Sequence, residues 1–560
     1  MMVASLSACV NDTLKKEDEP VIPPTPDAKE NYYMSVNLYI TSSDNTRADN
    51  STTEPGGGSS TGEQAGTTLE NTLKSAQLYF CDENYQVLSY VSTKEADNKF
   101  TTGQVTDGKN QAYTLEVEVT IEKLLKLVGH EVNLLFVGNN EDESVYVKHN
   151  FDDSTNKNGP DAKHTIGFLN QGPIDDFLSN QGGRCMIFAN SEDFTIDIFK
   201  NITGADDAAK IEGIRALFTE NSTNFNGKLY IVRDKVLQLE RNVARIDYKD
   251  ASVSDSGDSH DFTYKIGNSD VKIKLDQMQV CNVNKNPYLF RQTIKGSTLS
   301  AFGESGETKR MFGKENDNNA GASNYNWVYG ADWTNTGGTV AKTTSYLNEL
   351  SKSSSGYEIT YNNGVTTTSS NSAKGIVSIT ELAKKTKIEG YYPWRYISEN
   401  TIPTVDMMSE AERYKYATGV AFKFMVMDKD GANPLEYEET TPAAGSKYPS
   451  GITNSQTAGS ITITMPNGLW MDVAPEDGKY YLSYYHFIEH NSKDQTSTVD
   501  GKTVTVPGPM KYAVVRNNIY RLTVKSISDL PDPEWPDLNM DVYMYAVPWE
   551  LRIDDDAHLK

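Results

Sequence analysis

The chain of 560 residues carries 53 Lys and Arg against 77 Asp and Glu, a formal net charge of −24. This balance argues against nucleic acid or anionic lipid as a partner, because binding to phosphates needs clustered Lys and Arg. The sequence contains no run of about 18 apolar residues that could form a membrane-spanning helix. Its 40 Gly, 21 Pro and 32 Tyr are typical of a chain with many short strands and turns.

Residues 6–9 read Leu-Ser-Ala-Cys and resemble the processing box of bacterial lipoproteins, in which the Cys is acylated. The acidic, Pro-rich stretch that follows cannot bury a core and acts as a semi-stiff spacer. We therefore expect residues 1–29 to form a lipoprotein leader and tether with Cys9 lipidated. A secretory leader needs a basic start, and no Lys or Arg precedes Cys9, so we expect the leader to begin upstream of Met1. The alternative is an ordinary N-terminus with a chance Cys.

Residues 32–41 are predicted to form the first strand. Every second side chain is apolar, and the alternate side chains are mostly polar, which is the pattern of a half-buried strand. The apolar stripe consists of Met34, Val36, Leu38 and Ile40.

The next segment, residues 41–68, is almost entirely Ser, Thr, Asn, Gly and Glu, which predicts an exposed, flexible loop suited to proteolysis. Arg47 lies in it, and no other Arg precedes Arg184. A protease that cuts after Arg would find one site here, between Arg47 and Ala48. The alternative is an isolated loop Arg without a role.

A second detachable strand is predicted at the other end of the chain. Residues 528–538 are rich in Pro and are expected to form an extended arm that isolates the strand from the domain body. The strand within residues 539–560 has an apolar face similar to that of the first strand. Its members, with the aromatic residue near its end, are Met540, Val542, Met544, Ala546 and Trp549. Pro548 restricts it to a sheet edge or a strand end.

These two strands suggest assembly by exchange. If cleavage after Arg47 removes the first strand, the groove left behind has unpaired backbone groups and an exposed core, and such an edge recruits another strand. The last strand of a neighbouring copy would fit that groove. A head-to-tail contact of this kind does not close and therefore makes filaments.

Residues 512–527, read as YAVVRNNIYRLTVKSI, resemble the signature of the Bacteroidales fimbrillins, in their minor-fimbrium (Mfa-type) branch. Four other stretches resemble less specific motifs of the same family. They are residues 239–246 (LERNVARI), 396–401 (YISENT), 418–424 (TGVAFKF) and 547–549 (VPW).

The resemblance implies a mainly β fold with two transthyretin-like β-sandwich domains, residues 30–245 and 246–538, followed by a donor strand in 539–560. It implies a shaft subunit of an adhesive cell-surface fimbrium, exported as a lipid-anchored outer-membrane precursor. The implied partners are other copies of the chain, anchor and tip subunits, an Arg-specific protease, and host or bacterial surface ligands.

The sequence indicates no catalytic or metal-binding site. Residues 486–490 fit the zinc pattern H-x-x-E-H, but they continue a Tyr-rich, strand-like run, and in a strand the two His lie about 13 Å apart at roughly 3.3 Å per residue. Cys81, Cys185 and Cys281 lie in apolar runs and are predicted to be buried thiols. We predict no enzyme activity, metal or cofactor.

Two alternatives stay open. The chain could be a monomeric surface adhesin or glycan-binding lipoprotein that uses the aromatic-containing segments 303–343 and 351–374, or it could be a fimbrial tip subunit. A monomeric binder has no need of paired end strands, so their location discriminates between these functions.

Overall fold

The structure is a computed structural model. It describes residues 31–40, 64–65, 70, 72–93, 99–102, 112–139, 187–221, 223–225, 228–231, 236–251, 261–268, 272–284, 287–296, 309–311, 325–328, 333–336, 339–342, 346–347, 351–353, 356–358, 376–400, 416–427, 431–434, 455–458, 461–464, 472–474, 479–490, 494–499, 502–507, 512–531 and 539–550.

The described part of the chain is mainly β, which confirms the predicted fold class. The elements up to residue 241 are β1 (Asn31–Ile40), β2 (Gln64–Ala65), β3 (Ala76–Cys81), β4 (Val87–Ser92), β5 (Lys99–Thr102), β6 (Ala112–Thr120), α1 (Ile121–Leu125), β7 (Val132–Gly138), β8 (Phe188–Asn190), β9 (Thr195–Ile196), α2 (Asp207–Asn221), β10 (Thr223–Phe225), β11 (Lys228–Ile231) and β12 (Val236–Arg241).

The remaining elements are β13 (Ala244–Asp250), β14 (Thr263–Lys265), β15 (Lys272–Cys281), β16 (Val283–Asn284), β17 (Gln292–Gly296), β18 (Lys309–Met311), β19 (Tyr325–Val328), β20 (Trp333–Thr336), β21 (Thr339–Lys342), β22 (Tyr346–Leu347), β23 (Ser351–Ser353), β24 (Gly356–Glu358), β25 (Ile376–Ser378), α3 (Ile379–Ala383), β26 (Tyr392–Ile397), β27 (Gly419–Met427), β28 (Ser455–Ala458), β29 (Ile461–Thr464), β30 (Asp472–Ala474), β31 (Lys479–Phe487), β32 (Asp494–Val499), β33 (Lys502–Pro507), β34 (Asn518–Ile527) and β35 (Met540–Glu550).

The first-domain sheet contains β1 and β3–β12. Along β6, every second side chain from Tyr113 to Val119 is buried and the alternate ones are half-buried, as the period of a strand requires. The buried side chains of β1, β6, β7 and β12 belong to one hydrophobic core. Helix α2 covers this core, and the ring of Phe218 lies 4.4 Å from that of Tyr32 on β1.

The second-domain sandwich is built from two sheets. One has the strand order β2-β35-β34-β13-β26, and the other has β14-β15-β27-β31-β30, with β25 on β15. Aromatic side chains fill the space between them. Tyr248 on β13 lies 6.3 Å, centroid to centroid, from Phe422 on β27, and its hydroxyl is 3.0 Å from that of Tyr264. This packing of two inner faces is the architecture of a β-sandwich.

The change from the first-domain sheet to the sandwich occurs within a few residues. Strand β12 ends at Arg241, and β13 starts at Ala244 with new neighbours, β26 and β34. The predicted boundary at 245/246 lies next to this change. Three residues that precede the first-domain strand β3 in sequence contact the sandwich, namely Gln64, Ala65 and Glu70.

Two sequence-based expectations differ from the structure. The flexible loop predicted for residues 41–68 contains β2, and its other residues lie outside the described part. From the sequence, residues 228–240 are expected to form one strand, but the structure has two strands there, β11 and β12, which pair with successive parts of β1. Among the described residues, no helix has the length and apolar character needed to cross a membrane.

Candidate functional site: the end strands and the domain junction

Strand β1 lies inside the first-domain sheet, with a neighbour on each edge. It pairs antiparallel with β6 from Asn31 to Tyr39, and on its other edge it pairs in parallel with β11 and then β12. The predicted apolar stripe faces the core, and all four side chains are fully buried: Met34, Val36, Leu38 and Ile40. Strand β1 is therefore an internal strand, although it is the first in the chain.

Removal of β1 would leave a specific vacancy. Burial of its four apolar side chains stabilises the domain by about 6–12 kcal/mol in total as an upper bound, at roughly 1.5–3 kcal/mol each. Strands β6 and β12 would also lose backbone partners along two facing edges, and buried backbone groups without partners are costly. The vacancy would thus accept an extended strand of about ten residues with alternating apolar side chains.

The processing residues themselves are not part of the described structure. Cys9, Arg47 and Ala48 lie outside the described residues, as does Cys185. Strand β1 ends at Ile40 and β2 begins at Gln64, so Arg47 lies in the connection between two described strands. Cys81 and Cys281 are buried, as predicted, and burial raises the pKa of both thiols.

Strand β35 is not held away from the domain body, contrary to the expectation from the Pro-rich arm. It pairs antiparallel with β34 along its length, from Met540 opposite Ile527 to Pro548 opposite Asn518. The connection between them is closed by a hydrogen bond from the amide N–H of Ser528 to the carbonyl of Asn539, 2.9 Å long. Prolines prevent helix and interior strand, but they do not prevent a chain reversal.

An Asn makes this reversal feasible. Asn539 has a φ of +68°, in the left-handed region that Asn tolerates better than most residues. Its side-chain amide donates to the carbonyl of Leu530 at 2.8 Å, and the Tyr484 hydroxyl donates to the carbonyl of Asp529 at 2.9 Å. The two ends of the connection are thereby fixed to each other and to β31.

The predicted apolar face of β35 packs on the second domain. Met540 and Ala546 are buried, whereas Val542 and Met544 are half-buried against the core. Tyr543 points to the other face, where the Lys525 ammonium lies 4.9 Å from its ring centroid. Beyond β34, the pairing of β35 among described strands is with β2, which reaches Trp549 and Glu550.

The two end strands are matched in length and pattern. Strand β1 has 10 residues and β35 has 11, and each has apolar side chains at alternating positions. The difference is their position: β1 is internal, and β35 lies near the edge of its sheet. An edge strand can leave with fewer backbone pairs broken than an internal strand can.

Several motif residues from distant parts of the sequence meet in one buried cluster, which we call the domain junction. It contains four Arg and four carboxylates, each at most 3% exposed. They are Arg241, Arg245, Arg291 and Arg516, with Glu70, Glu240, Asp247 and Glu399.

One half of the junction centres on Arg245. Its Nε and Nη2 donate to the two oxygens of Asp247 at 2.7 and 2.8 Å, and its Nη1 lies 2.9 Å from both oxygens of Glu70. Burial alone would lower the pKa of Arg245, but these two carboxylates hold it above its usual range. Arg241 donates to the backbone carbonyl of Glu70 and, from Nη1, to Asn517 Oδ1 at 3.0 Å.

The other half centres on Arg516. Its Nε and Nη2 donate to Glu399 at 3.0 and 2.7 Å, and its remaining donors reach the carbonyls of Tyr288 and Leu289. Glu240 lies 3.5 Å from Arg291 and 3.8 Å from Arg516. Burial raises the pKa of Glu240, against the effect of these two guanidinium groups. Neighbouring residues thus contact different halves of the junction. Glu240 lies near Arg516 while Arg241 binds Asn517, so each of these two chain segments contributes to both halves.

The junction explains why three of the sequence motifs named above carry charged residues among apolar ones. They are residues 239–246, 396–401 and 512–527. Such a cluster has no catalytic arrangement, and among the described residues no group of three or more His, Cys, Asp or Glu could hold a metal ion. His486 lies in β31, a strand rather than a helix. His490 is buried with Nδ1 3.0 Å from the Tyr520 hydroxyl.

Glu70 and Arg291 were not singled out from the sequence. Glu70 follows a Thr-rich stretch without periodicity, and its partners lie 171 to 326 residues away. No local pattern encodes such a contact. A weak signal existed for the other members, since the motifs at 239–246, 396–401 and 512–527 each place charges beside apolar residues.

Comparisons with known proteins give several similar solved structures and no assignment to a family. No family model and no curated protein matches the chain. A Parabacteroides distasonis protein assigned provisionally to cell adhesion is 10% identical, with a TM-score of 0.34 over 93% of this chain and 98% of the other.

A fimbrial assembly protein from the same organism is 12% identical, with a TM-score of 0.22 over 57% of this chain and 99% of that one. A Bacteroides thetaiotaomicron protein assigned provisionally to polysaccharide binding is 7% identical, with a TM-score of 0.27 over 94% and 99% of the two chains.

Proposed function

We propose that the chain is a structural subunit, in the shaft, of a cell-surface fimbrium that serves adhesion. In this proposal it is exported as a lipoprotein acylated on Cys9 and is cleaved after Arg47. It then polymerises as β35 of one copy enters the groove that β1 of the next copy vacates. The partners are other copies, anchor and tip subunits, an Arg-specific protease, and host or bacterial surface ligands.

The observation that supports this proposal is the matched pair of end strands. Strand β1 is internal and fully buried on its apolar face, so its release creates a vacancy. Strand β35 offers 11 residues with the same alternation, from a position near a sheet edge. Exchange replaces lost burial and lost backbone pairs with equivalent ones from a neighbour, which offsets the cost of association.

Donation by β35 also has a cost in this structure. The strand leaves β34, and Met540 and Ala546 lose their burial on the second domain. Exchange therefore lowers the free energy only if the groove vacated by β1 buries the side chains of β35 more fully than their present position beside β34 does. The four stripe residues of β1 are fully buried, whereas two of the four on β35 are only half-buried, so the balance favours the groove.

A reversible disulfide between β1 and β6, which we call the β1 staple, tests the proposal. Asn37 and Thr114 face each other across β1 and β6, their side chains 3.1 Å apart and half-buried on the side away from the apolar stripe. In Asn37→Cys/Thr114→Cys, a disulfide would hold β1 in place after cleavage at Arg47. We expect no filaments by electron microscopy from the oxidised, cleaved chain and normal filaments after reduction.

A matched staple within the sandwich controls for oxidation itself. Lys274 and Met425 are opposite each other on β15 and β27 and are also half-buried. Lys274→Cys/Met425→Cys should give filaments in both redox states. Filaments from the oxidised β1 staple would rule out exchange at β1.

The rival function is that of a monomeric surface binder. The pairing of β35 with β34 of its own domain favours it, because a monomer would keep this strand permanently. In that case the cleaved chain stays monomeric in native gels with either staple, oxidised or reduced.

A further inference from the structure

A few residues between Arg47 and β3 contact both domains. On the first-domain side, Asn139 receives the backbone N–H of Lys74 on Oδ1 at 2.7 Å and donates from Nδ2 to the carbonyl of Thr72 at 2.7 Å. Leu73 is buried, and it packs so closely over Gly138 that a side chain there would collide with it. The chain just before β3 is therefore firmly attached to the first-domain sheet.

Two residues earlier, the same chain enters the domain junction. The Glu70 carboxylate is 1% exposed and accepts two contacts of 2.9 Å from Arg245 and one of 2.6 Å from the Tyr396 hydroxyl. Its backbone carbonyl accepts from Arg241 at 3.1 Å. Without the Glu70 carboxylate, Arg245 would keep Asp247 as its carboxylate partner and lose one of its two, and a buried charge that loses a partner is strongly destabilised.

Further upstream, the chain reaches the end of the C-terminal strand. Gln64 pairs in parallel with Trp549, and Ala65 with Glu550. These residues extend the sheet on the side of β35 opposite β34. One short stretch of chain thus touches the first-domain sheet, the junction and the far end of β35.

We propose that Gln64–Ala65, Glu70 and Thr72–Ser75 act as an interdomain clasp, with Glu70 as the charged residue that anchors it. The occupied surface is the part of the second domain formed by Arg245, Tyr396 and the end of β35. Its partner is this chain's own segment, which contributes the Glu70 carboxylate. The clasp holds the two domains together and holds the end of β35 on its domain.

The clasp does not depend on β1. Glu70 lies 23 residues after Arg47, so cleavage there removes β1 and leaves every clasp residue in the processed chain. Its anchoring contacts are with the junction and with Asn139, and none of these contacts involves β1. Cleavage alone therefore removes no clasp residue, and in the proposed function β35 has to leave the clasp before it enters a neighbour's groove.

Hydrogen exchange followed by mass spectrometry tests the clasp on the full, uncut chain, in which β1 still fills its place in the first-domain sheet. In Glu70→Ala we expect amides at the end of β35 and in β13 to exchange at least about tenfold faster than in wild type, as local opening becomes easier. Glu70→Gln keeps an acceptor for Tyr396 but loses the charge, and we expect an intermediate increase.

Glu131→Ala is the matched control. Glu131 is a first-domain carboxylate paired with Lys200 at 2.8 Å, but both side chains are largely exposed, so exchange at β13 and β35 should stay at the wild-type rate. Equal rates in Glu70→Ala and Glu131→Ala would overturn the clasp. If Glu70→Ala does not fold, Glu70→Gln and Tyr396→Phe decide by the same comparison. Because amide exchange is measured in the uncut chain, the result stands whether or not strand exchange occurs after cleavage.

Discussion

Arg516 shows what a buried charge contributes in this protein. Its guanidinium is fully buried and donates to Glu399 and to two backbone carbonyls. The planar fork of Arg reaches all of these acceptors at once, which the single ammonium of Lys does not do. The residue therefore fixes the position of the segment before β34 relative to the loop at Tyr288 and to the end of β26.

We expect Arg516→Met to lower the free energy of unfolding by about 3–5 kcal/mol, because it leaves Glu399 buried without its partner. Arg516→Lys should be destabilising as well, and less so. The control is Lys384→Met, which removes an exposed pair with Glu381 and should cost less than about 1 kcal/mol. Urea unfolding followed by circular dichroism measures all three. Similar losses for Arg516→Met and Lys384→Met would contradict the role assigned to the junction.

His486 makes a second prediction at the scale of a residue. Its Nε2 is buried without a hydrogen-bond partner among the described residues, and burial lowers its pKa to about 4 from an ordinary value of 6.5. Since the folded pKa is the lower one, the unfolded chain takes up this proton first as pH falls. The folded state loses stability from about pH 6.5 downward, and the loss is complete near pH 4.

His486→Phe removes this titration. Between pH 7 and pH 4.5, we expect the wild type to lose about 2 kcal/mol more of its free energy of unfolding than the variant does. Denaturant unfolding at the two pH values gives the comparison. An equal loss in both proteins would mean that His486 is not desolvated in the folded state.

At the scale of elements, the sequence predicted those strands whose own side chains alternate. Strand β1 (Asn31–Ile40) lies within one residue of its predicted limits, 32–41, because its apolar stripe is buried in the core. The partner of a strand is a different matter. The alternation on β35 was visible in the sequence, but its pairing with β34 of the same domain was not, because one apolar stripe fits any apolar groove.

Short or purely long-range features had no sequence signal. Strand β2 is Gln64–Ala65, two residues without any periodicity, and it exists because the edge of β35 is available beside it. The junction was visible only as scattered charged motifs. The junction forms only when the fold brings together chain segments that are more than a hundred residues apart in sequence.

The two faces of β35 predict different effects of substitution. Val542→Asp places a carboxylate on the apolar face, where burial without a partner costs several kcal/mol, and we expect it to abolish filaments of the cleaved chain. Tyr543→Ser changes the other face, removes the Lys525 contact and should shorten filaments only modestly. Electron microscopy of each variant as the sole subunit measures filament length, and native gels show whether the monomer remains compact. The donor-face assignment fails if Tyr543→Ser is the more severe change.

At the scale of the whole molecule, the proposed function gives the chain one acceptor and one donor at opposite ends of its sequence. The buried charges of the junction connect the first-domain sheet to the sandwich. A filament of such subunits would gain stiffness from within each subunit as well as from the exchanged strands.

This polarity predicts that a subunit with only one functional end terminates a filament. A chain lacking residues 540–560 keeps the first domain and its β1 groove, so after cleavage it can accept a strand but not donate one. Its second domain loses the cover that Met540 and Ala546 provide and should unfold at lower urea concentration than the first. Added to cleaved wild type, it should shorten filaments in proportion to its share of the mixture.

The oxidised β1 staple terminates the opposite end, because it retains β35 and keeps its own groove filled. Both additives should therefore shorten filaments, and each should be found at one filament end only when it carries a distinct label for electron microscopy. Reduction of the staple should restore long filaments, whereas no treatment rescues the truncated chain. If the truncated chain is instead incorporated along the filament without shortening it, then β35 is not the donor, and contacts between subunits must form through another surface.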